Sequence, residues 1–433
     1  MDKTSVLYKQ PLIFRYQDAK DLAGHISNRR SIVLIGITRV GIGNFLSFFI
    51  NRKDVVQNYF QDSDKHLFIP VNLNDLIECD IAPFWTLTLK RVVDSIENSN
   101  INEGVKNEIR GLFLESIQLQ DLFFTIDSVR LSIKKIIEEG FLPTIFFIKF
   151  DRLKNALTPQ LFANLEGLRE FTHYQLTYVF TSFLPFNDLS PELNKNSSLS
   201  ILYKNIYFKP SAEDDSLILL RLYKKRYEVK LTDDLEKFFL KLVDGHFQYA
   251  QLGLIALHNP EIKISKQEDI KRILLGDERI RLQSEEIWES LTTNEQKILV
   301  KISSGNRVSK QEKDKASYLW DVGMVIQRSG INNIFSPLFS YFVKERVTEE
   351  AKDSGAEFSK KELLFFDYLK ENENQICERD KIVETVWPEA TELGISDWAI
   401  DKLAGRVRTK LKLQKSNFEL QTVKTRGFKL IKP

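Results

Sequence analysis

The sequence predicts an α/β domain built on a largely parallel sheet, a helical subdomain behind it, and two small units of similar size, the first running helix, helix, helix and hairpin in a winged-helix plan and the second ending in a helix and a two-stranded wing. Three observations lead to this order. Over the first 210 residues, short apolar runs at 31–37, 66–72, 144–150, 178–181 and 206–208 alternate with helical spacing, the pattern of strands joined by crossover helices. From about Ala212 the strand-like runs stop, and 214–227, 233–244 and 247–258 all carry the three- and four-residue spacing of helices. The charge is also uneven: residues 402–433 hold ten Lys or Arg and one acid, a local net of +9, so the other 401 residues carry −7 of a total of only +2. A basic end on an acidic chain is the electrostatic footprint of a nucleic-acid module.

A chain of 433 residues is long enough for two to four domains with real cores. Hydrophobic residues make up 42% and charged residues 28%, with 31 Phe against 18 Gly, which excludes a disordered or low-complexity protein. The expected divisions are 1–210 for the α/β domain, 211–283 for the helical lid, 284–347 for the first small unit, 348–357 for a charged linker and 358–433 for the second. Residues 45–60 read as one amphipathic helix after the first strand. In the first small unit, Thr292 stands as a helix N-cap candidate, and apolar residues 324–326 and 334–335 flank Ser329-Gly330 as a hairpin would. That unit is nearly charge-balanced, so an intramolecular or protein contact is expected of it.

No apolar stretch approaches the roughly 18 residues of a membrane span, and none resembling a signal h-region precedes Arg15. A cytoplasmic protein without membrane partners is expected. Cys79 and Cys377 are too few for a disulfide framework, and the five His are scattered without metal-ligand spacing. Neither a metal site nor a nucleophilic triad is expected.

Between Asp397 and Lys412 the apolar residues Ile400, Leu403, Val407 and Leu411 line one helix face, and Lys402, Arg406 and Lys410 line another. Arg408 and Lys412 flank the second face. The width of such a helix suits a major groove, where Arg can bond guanine bidentately. Residues 418–422 and 424–431 then read as two strands around Thr425-Arg426-Gly427, a wing that carries Lys424 and Arg426. A merely solvated basic face is the competing reading, and the agreement of wing and helix charges weighs against it.

The last 75 or so residues closely resemble the winged-helix effector domain of OmpR/PhoB-type response regulators. The resemblance is carried by Phe358-Ser359-Lys360-Lys361-Glu362, Arg379-Asp380-Lys381-Ile382-Val383, Val386-Trp387, Ser396-Asp397-Trp398-Ala399-Ile400-Asp401, Arg406-Val407-Arg408-Thr409-Lys410-Leu411 and Leu420-Gln421-Thr422-Val423-Lys424-Thr425-Arg426-Gly427-Phe428, in order and correctly spaced. It implies that Arg406 and Arg408 contact bases and phosphates, that Thr422 contacts phosphate, and that Lys424 and Arg426 enter the minor groove. Leu403 stands where the family often has His and Gly405 where a polar residue is common, which leaves base preference open.

Nearer the N-terminus, Gly36-Ile37-Thr38-Arg39-Val40-Gly41-Ile42-Gly43-Asn44 follows the first strand and opens the next helix. This is the frame of a phosphate-binding loop, Gly-x4-Gly-Lys-Ser/Thr, with Ile42 in place of Lys and Gly43 in place of the hydroxyl. Residues 10–345 resemble AAA+ or STAND-type ATPases. The resemblance implies an acidic pair at the end of the 144–150 strand, where Ile148 and Lys149 stand instead, with Asp151 surviving two places on. It likens Thr181-Ser182 to a sensor strand and Asp244-Gly245-His246-Phe247 to the lid's Gly-His-Pro motif. Four elements are altered together, which points to lost hydrolysis. Gly36, Arg39, Gly41, Gly43, Asn44 and Asp151 are the residues a degenerate nucleotide site would use, and a tight strand-to-helix turn with no nucleotide is the alternative.

The sequence is therefore read as a prokaryotic DNA-binding protein, a transcription regulator, whose ATPase-like front end serves as scaffold, sensor or oligomerisation platform without a cofactor. Its rival is a nucleotide-dependent switch that binds ATP and Mg²⁺ in mobile-element defence or DNA transactions. Double-stranded DNA is the expected partner in both, with a protein partner or self-association through the front module.

Overall fold

A computed structural model describes residues 10–190, 192–193, 203–258, 264–350, 358–388, 395–423 and 426–432. Five strands, β1 (Ile32–Ile35), β2 (His66–Asn72), β3 (Leu142–Ile148), β4 (Thr177–Ser182) and β5 (Lys204–Tyr207), form one sheet in the order β2-β3-β4-β1-β5. Every pairing is parallel; Ile32 lies beside Val179 on one side and Lys204 on the other. All four residues of β1 and all six of β4 are buried, which is why these segments read as unbroken apolar runs rather than alternating ones. Phe147, Phe150, Phe180 and Phe186 stack beside them with ring centroids 4.8–5.6 Å apart.

The crossovers are helical: α1 (Tyr16–Ser27), α2 (Ile42–Asn51), α3 (Lys53–Tyr59), α4 (Ile81–Glu97), α5 (Glu103–Leu119), α6 (Leu122–Glu138) and α7 (Pro159–Phe171). The single helix expected over 45–60 is instead two, α2 and α3. Arg52 breaks it in extended conformation, with its guanidinium over the Phe48 ring and bonded to Asp54 and the Gln10 carbonyl. A side chain held in this way competes with helical continuation although nothing in its type is a breaker. Helices α8 (Glu213–Arg226), α9 (Asp233–Val243) and α10 (Phe247–Leu257) follow, as the spacing predicted. Residues 211 and 245 cross closely: the Ser211 N–H donates to the Gly245 carbonyl at 2.9 Å, and a Cβ on Gly245 would sit 2.2 Å from the Ser211 oxygen.

By its internal contacts the chain divides into two compact units, Met1–Leu254 with Ser317–Ile326, and Ile255–Ala316 with Gln327–Pro433. Residues 317–326 join the first unit, where the Tyr318 hydroxyl donates to the Phe183 carbonyl at 2.6 Å. The second holds α11 (Gln267–Gly276), α12 (Glu278–Glu289), α13 (Thr293–Ser303) and α14 (Lys310–Lys315). The expected hairpin forms from β6 (Val325–Arg328) and β7 (Ile331–Ile334), and a helix not foreseen, α15 (Pro337–Glu350), follows it. Thr292 does cap α13, in a reciprocal pair with Glu295.

The last segment folds as predicted: α16 (Lys360–Glu371), β8 (Cys377–Glu378), α17 (Arg379–Val386), α18 (Asp397–Leu413), β9 (Glu419–Val423) and β10 (Gly427–Ile431), with the sheet in the order β8-β10-β9. Ser359 and Glu362 cap α16, and Ser396 caps α18. Phe365, Leu369, Trp387, Leu403, Val407 and Phe428 are central to its core. Among the described residues no helix is long and apolar enough to cross a membrane.

Gly427 sits where β10 crosses β8, and a Cβ there would lie 1.9 Å from the Cys377 carbonyl oxygen. Gly427→Ala must push the two strands apart, so we expect a loss of about 2 kcal/mol or more in denaturant unfolding of this segment. Unchanged stability would show that β8 does not pack against β10 in solution.

Candidate DNA-reading helix and phosphate loop

Helix α18 buries Ala399, Ile400, Leu403, Ala404, Val407 and Leu411 along one stripe, and this fixes which way its cations point. Lys402, Arg406 and Lys410 follow one another at successive turns, and each meets a carboxylate. Lys402 pairs with Glu289 and Arg406 with Glu285, both on α12. Lys410 pairs with Glu362 of α16 at 2.8 Å, and Arg406 Nε lies 3.4 Å from the same carboxylate. Glu362 is 4% exposed as a side chain. Burial raises its pKa, but hydrogen bonds from Lys410 and from Ser359 outweigh that and hold it below the ordinary carboxylate value. The Lys410 side chain is only 14% exposed and fixes α18 to α16.

Arg408 points toward the wing. Its Nε donates to the Leu420 carbonyl at 2.8 Å and its Nη2 to the Thr422 hydroxyl at 2.5 Å. The guanidinium and the Thr422 oxygen are thus held as one polar cluster at the junction of helix and β9. Arg426 is exposed at the wing tip, and Lys424 lies outside the described residues. At the N-terminal end of α18, Arg379 of α17 bonds Asp397 at 3.0 Å and Asp401 at 2.5 Å, which joins α17 to α18. Sequence reasoning missed Arg379, Glu285, Glu289 and Glu362. One signal was available for two of them: Glu285 and Glu289 share the four-residue spacing of Lys402 and Arg406.

In the first unit, the loop after β1 makes a left-handed turn into α2. Because the sheet is parallel, this loop lies at the same sheet edge as the ends of β3 and β4. Gly41 takes φ 114° and Arg39 φ 59° before α2 begins at Ile42. The turn is crowded at Gly36. A methyl on Gly36 would meet the Phe208 carbonyl at 2.7 Å, Val40 at 3.0 Å and the Ile42 Cδ1 at 3.1 Å. Gly43 is different: a Cβ there would meet nothing within 4 Å. Asn44, the next residue of α2, is half-buried. His246 closes the loop from behind: its buried ring donates from Nε2 to the Thr38 carbonyl at 3.0 Å and accepts at Nδ1 from the Tyr249 N–H at 3.3 Å. Desolvation lowers its pKa to about 4, so the ring is neutral at pH 7. Across the edge, the Thr181 hydroxyl accepts from the Lys149 N–H at 2.7 Å, and burial raises Asp151 to about 6. Among the described residues no group of three or more His, Cys, Asp or Glu is arranged to hold a metal ion.

Residues 353–430 match the family model described as "Transcriptional regulatory protein, C terminal". No curated protein matches the chain. Among solved structures it is similar to a Walker-type ATPase of Pyrococcus abyssi, at 14% identity over 77% of this chain and 96% of that one, TM-score 0.47. It is also similar to the ORC2 protein of Aeropyrum pernix, at 13% identity over 78% and 95%, TM-score 0.44, and to the RuvB Holliday junction branch migration motor of Thermotoga maritima, at 11% over 80% and 99%, TM-score 0.35. At such identities and scores none of these likenesses bears on function.

His246 makes the loop sensitive to acid. Its folded pKa of about 4 lies below the ordinary value near 6.5, so the unfolded chain takes up the proton first as pH falls. Stability is therefore full above about pH 6.5 and declines toward pH 4, by an amount on the order of 3 kcal/mol. Thermal melts between pH 7 and 4.5 should show this decline, and His246→Asn should lessen it without abolishing it, because burial also lowers His66 to about 4; an equal slope in the variant would remove His246 as a source.

Proposed function

We propose that this protein binds double-stranded DNA through its C-terminal winged helix and acts as a transcription regulator. The observation that carries the reading is the family match over 353–430, and Arg406, Arg408, Thr422 and Arg426, on the helix and wing of that stretch, are the proposed contacts. Arg408 and Thr422 are pre-positioned by their mutual hydrogen bond, which lowers the ordering cost of a phosphate contact. The reading places the protein with soluble cytoplasmic regulators of prokaryotes.

On this reading the front module is a scaffold or sensor that no longer hydrolyses ATP. Support comes from the loop, where the apolar side chains of Val40 and Ile42 crowd the turn at Gly36. An ammonium there would be the main phosphate cation, and the residue after it would supply the hydroxyl for Mg²⁺. The retained left-handed turn and the open space at Gly43 favour one further reading, a switch that binds nucleotide weakly without turnover, using the backbone of Gly41, Gly43 and Asn44.

Two measurements test these readings. Titrating the full-length protein with a duplex library at low salt should give binding whose logarithm falls linearly with the logarithm of salt concentration. Arg426→Ala should weaken all sequences alike and reduce that slope by about 1. Absence of binding to any duplex, both by the wild type and by a variant with Glu285→Gln and Glu289→Gln, would refute the DNA reading. In calorimetry the wild type should take up no ATP below about 100 μM, some −5.5 kcal/mol. Ile42→Lys with Gly43→Ser should gain affinity without hydrolysis, since Ile148 and Lys149 remain. Saturable wild-type binding under that limit would favour the switch.

A further inference from the structure

Helix α12 lies along the face of α18 that the DNA reading needs. The two run antiparallel: as α18 advances from Lys402 to Arg406, its partners on α12 step back from Glu289 to Glu285. Leu282, one turn from Glu285, is buried in the same hydrophobic cluster as Phe365, Leu403 and Val407, and Glu278 reaches Lys361 of α16 at 3.3 Å. An apolar anchor and three ion pairs therefore seat α12 on the C-terminal domain. We propose that α12 is a built-in cover of the DNA-reading face, so that duplex binding through α18 requires its release. This inference rests on the DNA-binding reading above.

Dimensions support it first. An α-helix with its side chains is about 10–12 Å across, and the B-DNA major groove is about 12 Å wide. The groove admits one helix, not two side by side with their charges joined. Chemistry supports it next. Glu285 and Glu289 present carboxylates to the two cations for which phosphates and guanine edges would otherwise compete, at the same one-turn spacing, so α12 occupies the cations as an anionic ligand would.

The contact is also built to be exchanged. The Glu285 side chain is 3% exposed, yet only one of its carboxylate oxygens is bonded; Oε2 has no hydrogen-bond partner among the described residues. A buried carboxylate satisfied on one side carries a desolvation penalty that its ion pair only partly offsets. Release of α12 returns Glu285 to water and leaves Arg406 beside Glu362 alone, its Nη1 open to the duplex. Lys410 is different in kind: its partner Glu362 belongs to the cap of α16 and stays with the domain, so the cover leaves the helix itself in place.

A change at Arg406 is a poor test, because it removes the duplex contact and the cover together. The informative variant is Glu285→Gln with Glu289→Gln in the full chain, compared with the wild type in duplex titration at one salt concentration. A control with the same change of charge, Glu268→Gln with Glu371→Gln, sits at exposed positions away from this contact. We expect the cover variant to bind duplex at least tenfold more tightly than the wild type, and the control to gain threefold or less. If wild type and cover variant bind equally well, the cover is refuted while the DNA reading stands. If neither binds any duplex, the DNA reading fails and the cover falls with it. Should the variant at buried Glu285 not fold, Glu289→Gln alone, at a side chain 23% exposed, keeps the same sign with a smaller gain. Hydrogen exchange on the wild type gives a second readout: amides of 278–289 should lose protection when duplex is added, and unchanged protection in the bound state would overturn the proposal.

Discussion

Two buried carboxylates govern the C-terminal half of this molecule. A carboxylate removed from water must be neutralised or hydrogen-bonded, and Glu362 and Glu285 are both almost wholly removed. Glu362 meets the requirement three times over, through the N–H of Ser359, the ammonium of Lys410 and the guanidinium of Arg406. Glu285 meets it once. Arg406 lies between them and ties α12, α16 and α18 to one point. The apolar stripe of α18 decides how deep the helix sits, and these carboxylates decide how it is rotated and which cations remain for a ligand.

The front module is held differently, by bonds between its loops and strand ends. Its sheet places the ends of β1, β3 and β4 along one edge, as a nucleotide site would need. The side chains at that edge serve the fold. His246 bonds a loop carbonyl, Thr181 holds the Lys149 N–H, and Ile42 lies against the turn at Gly36.

Much of this was legible in the sequence because the signals were local. Strand runs, helical spacing, the Thr292 cap and the stripe through Ile400, Leu403 and Val407 each depend on residues a few places apart, and each appears within a residue or two of where it was read. The break at Arg52 was not legible, because it depends on the carbonyl of Gln10, forty-two places away. The acidic partners of α18 were hidden for the same reason. Glu285 and Lys402 both look like surface charges in sequence, and only the fold shows that α12 and α18 meet.

Tethering gives the contact between α12 and α18 a property that a separate inhibitor would lack. Both helices belong to one chain, so their meeting is unimolecular and the cover faces its target at an effective concentration that dilution does not change. Expression level then cannot set the fraction of open molecules. That fraction depends on ionic conditions, on the local density of competing phosphates, and on whatever force the rest of the chain exerts on residues 278–289. A regulator built in this way would read the occupancy of its own body rather than its abundance in the cell.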